Sequence, residues 1–290
     1  MSNLKGVGVA LVTPYNEDLS VDFDSLTKLV EFNIDNGTNY LVVLGTTAEA
    51  ATLSEEEKKQ VTEHIVKVNN GRLPLVLGIG GNNTMEVKKQ IEEADLSAFD
   101  AVLSVSPYYN KPNQEGLYQH YKVLAGTGKK IIIYNVPSRT GQNIEASTTL
   151  RLAKEFPNLF LIKEAAPNIL QYFDILRQKP DGFNLVSGDD EYTLPVTLAG
   201  GNGVISVIGQ GYPKEFSTMV QLAFDGKVKE AYEIHNKLVE ITRLIFAEGN
   251  PAGIKTVLAE KGIIKNYLRL PLVAASAGLQ EKIKAEMAKI

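Results

Sequence analysis

The sequence predicts an α/β protein: a (β/α)8 TIM barrel followed by a small, all-helical C-terminal segment. Two observations carry this. Eight short runs rich in Val, Ile and Leu recur through the first two thirds of the 290 residues, and amphipathic stretches separate them. Buried parallel strands alternating with helices define the α/β class, and eight units spaced about 20 to 35 residues apart fit a closed barrel. An open doubly wound sheet is the alternative at this stage.

The runs are Val7 to Val12, Tyr40 to Leu44, Leu75 to Ile79, Ala101 to Val105, Ile131 to Tyr134, Leu159 to Lys163, Phe183 to Val186 and Val204 to Ile208. Between them, Phe23 to Asn36, Glu55 to Asn69, Thr84 to Leu96 and Glu145 to Phe156 place apolar residues at helical spacing with charges opposite. From about Gly226 the pattern changes to long helical stretches, Lys227 to Ala247, Pro251 to Lys261 and Ala274 to Ile290. The expected division is a catalytic barrel over residues 1–225 and a helical segment over 226–290. No low-complexity linker intervenes, so the helices are expected to pack on the barrel or on a neighbouring subunit.

Composition excludes several classes. With 44% hydrophobic and 22% charged residues the chain is globular and long enough to bury a large core. A net charge of −4 gives no electrostatic footprint for nucleic acid or an anionic membrane. The absence of cysteine removes disulfides, thiolate nucleophiles and cysteine-ligated metals. No run approaches the roughly 18 apolar residues of a membrane span, and the first residues lack a signal-peptide pattern. A soluble, cytoplasmic protein is the expectation.

Lys163 is the most informative single residue, because it lies in the apolar run Leu159-Phe160-Leu161-Ile162-Lys163. Desolvation disfavours an ammonium ion and favours a nucleophilic amine that condenses with a carbonyl to a Schiff base. In a barrel of this type the active site forms at the carboxyl ends of the strands. Read in order, those ends carry Thr13-Pro14, Gly45-Thr46-Thr47, Ser106 to Asn110, Tyr134 to Arg139, Lys163-Glu164, Ser187 to Asp190 and Ile205-Ser206. An amine, phenols, paired hydroxyls and an arginine suit Schiff-base chemistry on a small keto acid. Tyr134, on the neighbouring strand, is placed to shuttle protons with Thr46 and a second phenol. Thr46 and Thr47 suit a keto-acid carboxylate, and the planar fork of Arg139 suits a second one.

Each residue alone has a plainer reading. Lys163 can be a strand-end lysine paired with an acid, Tyr134 a core tyrosine, Gly45-Thr46-Thr47 a helix N-cap, and Arg139 a surface arginine. Asp189-Asp190 lacks a nearby histidine or third carboxylate, so capping or hydrogen bonding is expected and no metal. His64, His120 and His235 fall in helical stretches with solvated or packing roles expected. Gly78-Ile79-Gly80-Gly81 lacks the third glycine of a dinucleotide fingerprint, so no nucleotide cofactor is expected.

Taken together, Gly45-Thr46-Thr47-Ala48-Glu49, Pro107-Tyr108-Tyr109-Asn110-Lys111-Pro112, Tyr134-Asn135-Val136-Pro137-Ser138-Arg139-Thr140-Gly141 and Ile162-Lys163-Glu164-Ala165 resemble the dihydrodipicolinate synthases. The resemblance runs from Gly6 to about Leu272. It implies a homotetramer, built as a dimer of dimers, that uses no cofactor and condenses pyruvate with L-aspartate 4-semialdehyde in lysine biosynthesis. It also implies that Lys163 forms the pyruvate Schiff base, and that Tyr134, Thr46 and Tyr109 form a proton relay, Tyr109 coming from a neighbouring subunit. Thr47 is implied to hold pyruvate, Arg139 the semialdehyde carboxylate, and Gly188 and Ile205 to line the pocket. N-acetylneuraminate lyases and 2-keto-3-deoxy sugar acid aldolases share the barrel, lysine and tyrosine but typically lack a Ser-Arg pair like Ser138-Arg139. A catalytically silent binding barrel is the third possibility.

Departures from the family pattern are Ala48 and Ala50, where many members have Gly and Ser, and Asn250-Pro251-Ala252-Gly253 in place of Asn-Pro-Ile-Pro. A regulatory lysine site is implied at Ala50, Ala51, Glu55, Lys58, Asn82, Glu86 and Tyr108. Glu55 and Lys58 stand where some strongly feedback-inhibited members carry histidines, so weak inhibition or none is expected.

Overall fold

Eight parallel strands close on themselves in sequence order, β1 pairing with both β2 and β8. The computed structural model describes residues 4–290. The strands are β1 (Gly6–Ala10), β2 (Tyr40–Val43), β3 (Leu75–Gly78), β4 (Ala101–Val105), β5 (Ile131–Asn135), β6 (Leu159–Glu164), β7 (Asn184–Ser187) and β8 (Gly203–Ser206). Between and after them run α1 (Phe23–Asp35), α2 (Glu55–Asn69), α3 (Thr84–Glu93), α4 (Gln114–Ala125), α5 (Pro137–Thr140), α6 (Ala146–Glu155), α7 (Ile169–Gln178), α8 (Thr193–Leu198) and α9 (Pro213–Phe224). The chain ends in α10 (Val228–Phe246), α11 (Ala252–Glu260) and α12 (Ala277–Met287). The open doubly wound sheet is thereby excluded.

Helix starts follow from local side-chain chemistry. Ser54 caps α2 in a reciprocal box with Glu57, so the cap is not Thr46 or Thr47 as one reading of that loop had it. Those two threonines instead open a short 3-10 turn, Thr46–Ala48, at the end of β2. The expected eighth run, Val204 to Ile208, stops as a strand at Ser206. The backbone amides of Val207 and Ile208 donate to Asp190 Oδ2 at 3.1 and 3.0 Å and are not free for a ladder. The first run likewise leaves its ladder early, Val12 N donating to Gln210 Oε1 at 2.9 Å.

The barrel interior is a cluster with contributions from every strand, including Ala10, Val42, Val76, Leu103, Ile132, Leu161, Val186 and Ile205. Ile133 and Ile162 point outward into the layer beneath the helices and are fully buried. Truncating either to Ala would cost about 2–5 kcal/mol. Strict alternation breaks once, in β6. The pairing with β5 runs Ile131↔Leu159 and then Ile132↔Leu161, so Phe160 is an extra residue. Leu159 joins the outer layer, while Phe160 and Leu161 both lie against the interior cluster. This bulge resets the phase of β6, so that Lys163 faces inward with Leu161.

The C-terminal helices share a core with the barrel: Val7, Leu41 and Val204 belong to one cluster with Leu238, Ile254, Val257 and Ile283. A Cβ on Gly253 would fall 2.3 Å from the Ile245 carbonyl oxygen, so glycine lets α11 cross α10 at backbone contact. A buried ion pair ties α11 to the loop after β2. Lys255 Nζ lies 2.5 Å from Glu49 Oε1 with both side chains fully buried, and Lys255 also donates to the Tyr267 carbonyl at 2.9 Å. The second Glu49 oxygen accepts from Arg269 N at 3.1 Å. Burial pulls the Lys255 ammonium down to about 8, and Glu49 opposes that shift. Among the described residues no helix is long and apolar enough to cross a membrane.

Candidate active site

Tyr134 and Lys163 end their strands one residue before the ladder stops, and they are register partners. Alternation places Tyr134 inward after Ile132, and the bulge places Lys163 inward after Leu161. Both are almost fully buried, and Lys163 Nζ lies 4.3 Å from the centroid of the Tyr134 ring. Gly188, at the end of β7, is needed at this depth. A Cβ there would come within 2.9 Å of Lys163 Cε and 2.8 Å of Ala165 Cβ. Ile205 belongs to the same inner cluster as Tyr134.

A cleft of about 1040 Å³ opens above Tyr134 and runs between α2 and α3, with Thr46, Tyr134, Arg139, Tyr108 and Asn250 in its lining and Lys163 outside it, beside the Tyr134 ring. Thr46 is exposed at its rim, and Thr47 is buried beside it. Asn250, from the turn between α10 and α11, joins two predicted binding residues. Its Nδ2 donates to Thr47 Oγ1 at 2.8 Å, and its carbonyl accepts from Arg139 Nη2 at 3.1 Å. Sequence reasoning missed Asn250, although the Asn-Pro pair that marks it stood in the motif noted for its departures.

Tyr109 is not brought into the cleft by its own chain. It is 88% exposed on the loop after β4, with φ of 73°, while the adjacent Tyr108 lines the cleft. Of the seven predicted regulatory residues, Ala50, Ala51, Glu55, Lys58 and Tyr108 gather along the cleft. Asn82 and Glu86 do not line it: the Asn82 carbonyl accepts from Asn110 Nδ2 at 2.9 Å, and Glu86 interacts with Gln90 on its own helix. Lys58 Nζ is paired with Glu55 at 2.7 Å.

Behind the site, on the outer face of the same two strands, lies a buried carboxylate. Glu164 is pushed up to about 7 by burial, against which hydrogen bonds from Ala166 N and the Gln171 and Asn135 side chains act. Asp190 is raised to about 6 by burial as well, in keeping with the hydrogen-bonding role expected for it. Among the described residues no three His, Asp or Glu side chains converge as metal ligands do.

The sequence pattern of the dihydrodipicolinate synthetase family matches residues 3–290. The chain belongs to that family. A 4-hydroxy-tetrahydrodipicolinate synthase of Flavobacterium psychrophilum is 56% identical over 279 residues, covering 96% of this chain and 95% of that protein. The dihydrodipicolinate synthase of Thermotoga maritima superposes with a TM-score of 0.96 at 38% identity, covering 99% of both chains. The chloride-inhibited dihydrodipicolinate synthase of Acinetobacter baumannii, solved with pyruvate, gives a TM-score of 0.95 at 39% identity, covering 99% of this chain and 98% of that one.

Proposed function

We propose that this chain is a Schiff-base-forming lyase that condenses pyruvate with L-aspartate 4-semialdehyde, the reaction of a 4-hydroxy-tetrahydrodipicolinate synthase. The observation that carries the reading is the buried pairing of Lys163 with Tyr134, the amine 4.3 Å from the centroid of a phenol ring that itself lines an open cleft. Lys163 Nζ attacks the keto carbon of pyruvate, and loss of water leaves an iminium that draws electrons from the adjacent methyl. A proton leaves the methyl carbon, and the resulting enamine forms a carbon–carbon bond with the aldehyde carbon of the semialdehyde. The semialdehyde's amino group then displaces Lys163 from the imine carbon, closing the ring and restoring the free lysine.

Tyr134 and Thr46 carry protons between these steps, with Tyr109 supplied by a neighbouring copy of the chain. Thr47 holds the pyruvate carboxylate, Gly188 and Ile205 shape the pocket around it, and Arg139 takes the semialdehyde carboxylate. The exposure of Tyr109 supports an assembly in which it crosses an interface, and we take that assembly to be a homotetramer, a dimer of dimers. Within each subunit, residues 1–225 carry the chemistry and 226–290 buttress it. A cytoplasmic location goes with this biosynthetic role.

Borohydride reduction in the presence of pyruvate tests the reading. One pyruvyl-derived mass is expected on the Lys163 peptide and none in Lys163→Ala. Trapping that survives the substitution would remove Lys163 from the mechanism. Efficient cleavage of N-acetylneuraminate or a 2-keto-3-deoxy sugar acid, without condensation, would replace the synthase by one of the related lyases.

A further inference from the structure

The two strands that present Tyr134 and Lys163 inward present Asn135 and Glu164 outward, again as register partners. Glu164 is fully buried, and the groups holding its carboxylate are neutral donors. Asn135 Nδ2 reaches its two oxygens at 2.8 and 3.1 Å, Gln171 Nε2 at 2.8 Å and Ala166 N at 2.8 Å. A buried carboxylate with only neutral partners is a costly way to join two strands that Ile133 and Ile162 already seal with apolar contact.

What the carboxylate adds is connection. Asn135 Oδ1 accepts from Ile144 N at 2.9 Å, and Gln171 Nε2 also donates to the Ile144 carbonyl at 3.1 Å. Asn143 Nδ2 donates to Gln171 Oε1 at 2.8 Å. The network therefore grips β5, β6, the start of α7 and the turn that follows Arg139 and Thr140. It reaches the Schiff-base lysine, its phenol neighbour and the arginine's loop from behind, without touching the cleft.

We propose that Glu164 is a positioning residue for the condensation: through Asn135 and Gln171 its carboxylate fixes the relative placement of Tyr134, Lys163 and the Arg139 loop. This rests on the functional reading above. A shift of a fraction of an ångström between amine, phenol and the second substrate's anchor leaves imine formation possible and slows the proton transfers and the carbon–carbon step that follow it.

Glu164→Gln is the test, since it keeps size and replaces one acceptor oxygen by an amide donor aimed at the existing donors. Turnover is measured per active site, each site counted as a Lys163 that borohydride traps with pyruvate. A loss of fold alone lowers the number of trapped sites and leaves turnover per site unchanged. Positioning lowers turnover per trapped site by about tenfold or more, with the KM for pyruvate changed little. Adding Asn135→Asp exchanges carboxylate and amide across the same strand pair, and should recover most of the loss. Turnover per trapped site equal to that of the parent, or no recovery in the double variant, would overturn the proposal. If Glu164→Gln yields no folded protein, Gln171→Met removes the helix-side amide, its donor to Glu164 and its acceptor for Asn143 together, and carries the same test, with a per-site loss of about fivefold expected and an unchanged rate overturning it. A parent enzyme that traps no pyruvate at Lys163 would instead remove the underlying functional reading.

Discussion

Tyr134 and Lys163 are paired in register across β5 and β6, with Lys163 Nζ 4.3 Å from the centroid of the Tyr134 ring. Because both sit on ladder-bonded strand ends inside a closed barrel, their separation is set by backbone geometry and not by mobile loops. The second substrate's proposed anchor is different in kind, since Arg139 is exposed and held by one hydrogen bond to the Asn250 carbonyl.

Arg139→Lys is therefore expected to separate the two half-reactions. Lysine cannot reproduce a two-pronged carboxylate contact, and it also loses the guanidinium geometry that meets Asn250. Efficiency toward the semialdehyde should fall by about 10- to 100-fold, the equivalent of roughly 1.5–3 kcal/mol, while borohydride trapping of pyruvate at Lys163 continues at the parent rate. Equal loss in both assays would remove Arg139 from semialdehyde binding.

Tyr109 makes a prediction about assembly. It is 88% exposed while its neighbour Tyr108 lines the cleft, and in the proposed assembly it would serve another copy. Inactive Tyr109→Phe and inactive Lys163→Ala subunits, mixed and reassembled, should regain part of the parent activity, because some sites then combine an intact lysine with an intact tyrosine. Verified mixed oligomers without recovery would place Tyr109 outside a shared site.

The buried pair of Glu49 and Lys255 predicts a stability pattern. Glu49→Gln leaves the Lys255 ammonium without its carboxylate in a fully buried setting, and should destabilise the fold by about 3–5 kcal/mol. Replacing both by Met should cost clearly less than the single change. Chemical denaturation of the three proteins checks this, and a double variant weaker than Glu49→Gln would show that the pair is favourable in its own right.

Much of the fold was legible because its signals are local. Eight apolar runs and their helical spacers place every strand to within a few residues, since burial on both faces leaves few polar positions in a parallel barrel strand. The gathering of Thr46, Tyr134 and Arg139 on one cleft followed from the rule that strand carboxyl ends share a face. Asn250 was not legible, because its partners Thr47 and Arg139 are 203 and 111 residues away in sequence, and no periodicity encodes a turn reaching back over the barrel mouth. The ends of β1 and β8 were overrun because apolarity continues past the point where Gln210 and Asp190 capture the next amides. Of the three histidines, His120 is the one whose surroundings departed most from a solvated role.

His120 is buried on α4, its Nδ1 2.9 Å from Thr84 Oγ1, and burial lowers its imidazole to about 4. A folded-state value below the unfolded one, near 6.5, means that its contribution is fully present above about pH 6.5. That contribution is lost as pH falls from there through 4. About 3 kcal/mol is at stake across that window. Unfolding midpoints between pH 4 and 6.5 should flatten in His120→Gln, and an unchanged acid limb would assign the pH dependence elsewhere.

Inhibition by L-lysine is expected to be weak or absent. Lys58 sits in the cleft already paired with Glu55, so an incoming ammonium group must compete for that carboxylate. The competition is solvent-exposed and worth only about a kcal/mol. Lys58→His should accordingly increase sensitivity in a titration at fixed ionic strength. Strong inhibition of the parent at sub-millimolar lysine would show that the pair opens freely.

The extra residue at Phe160 gives β6 two halves of opposite parity. Counted from its start, Lys163 belongs to the outward set with Leu159, and only the inserted step assigns it to the barrel's interior. The direction of the Lys163 side chain is thus a matter of how β6 pairs with β5 rather than of residue type. Deleting Phe160 would remove the bulge and leave Lys163 opposite Tyr134, because Leu161 already pairs with Ile132, whereas straightening β6 with all its residues retained would turn the amine into the layer under the helices and bring Glu164 to face the cleft.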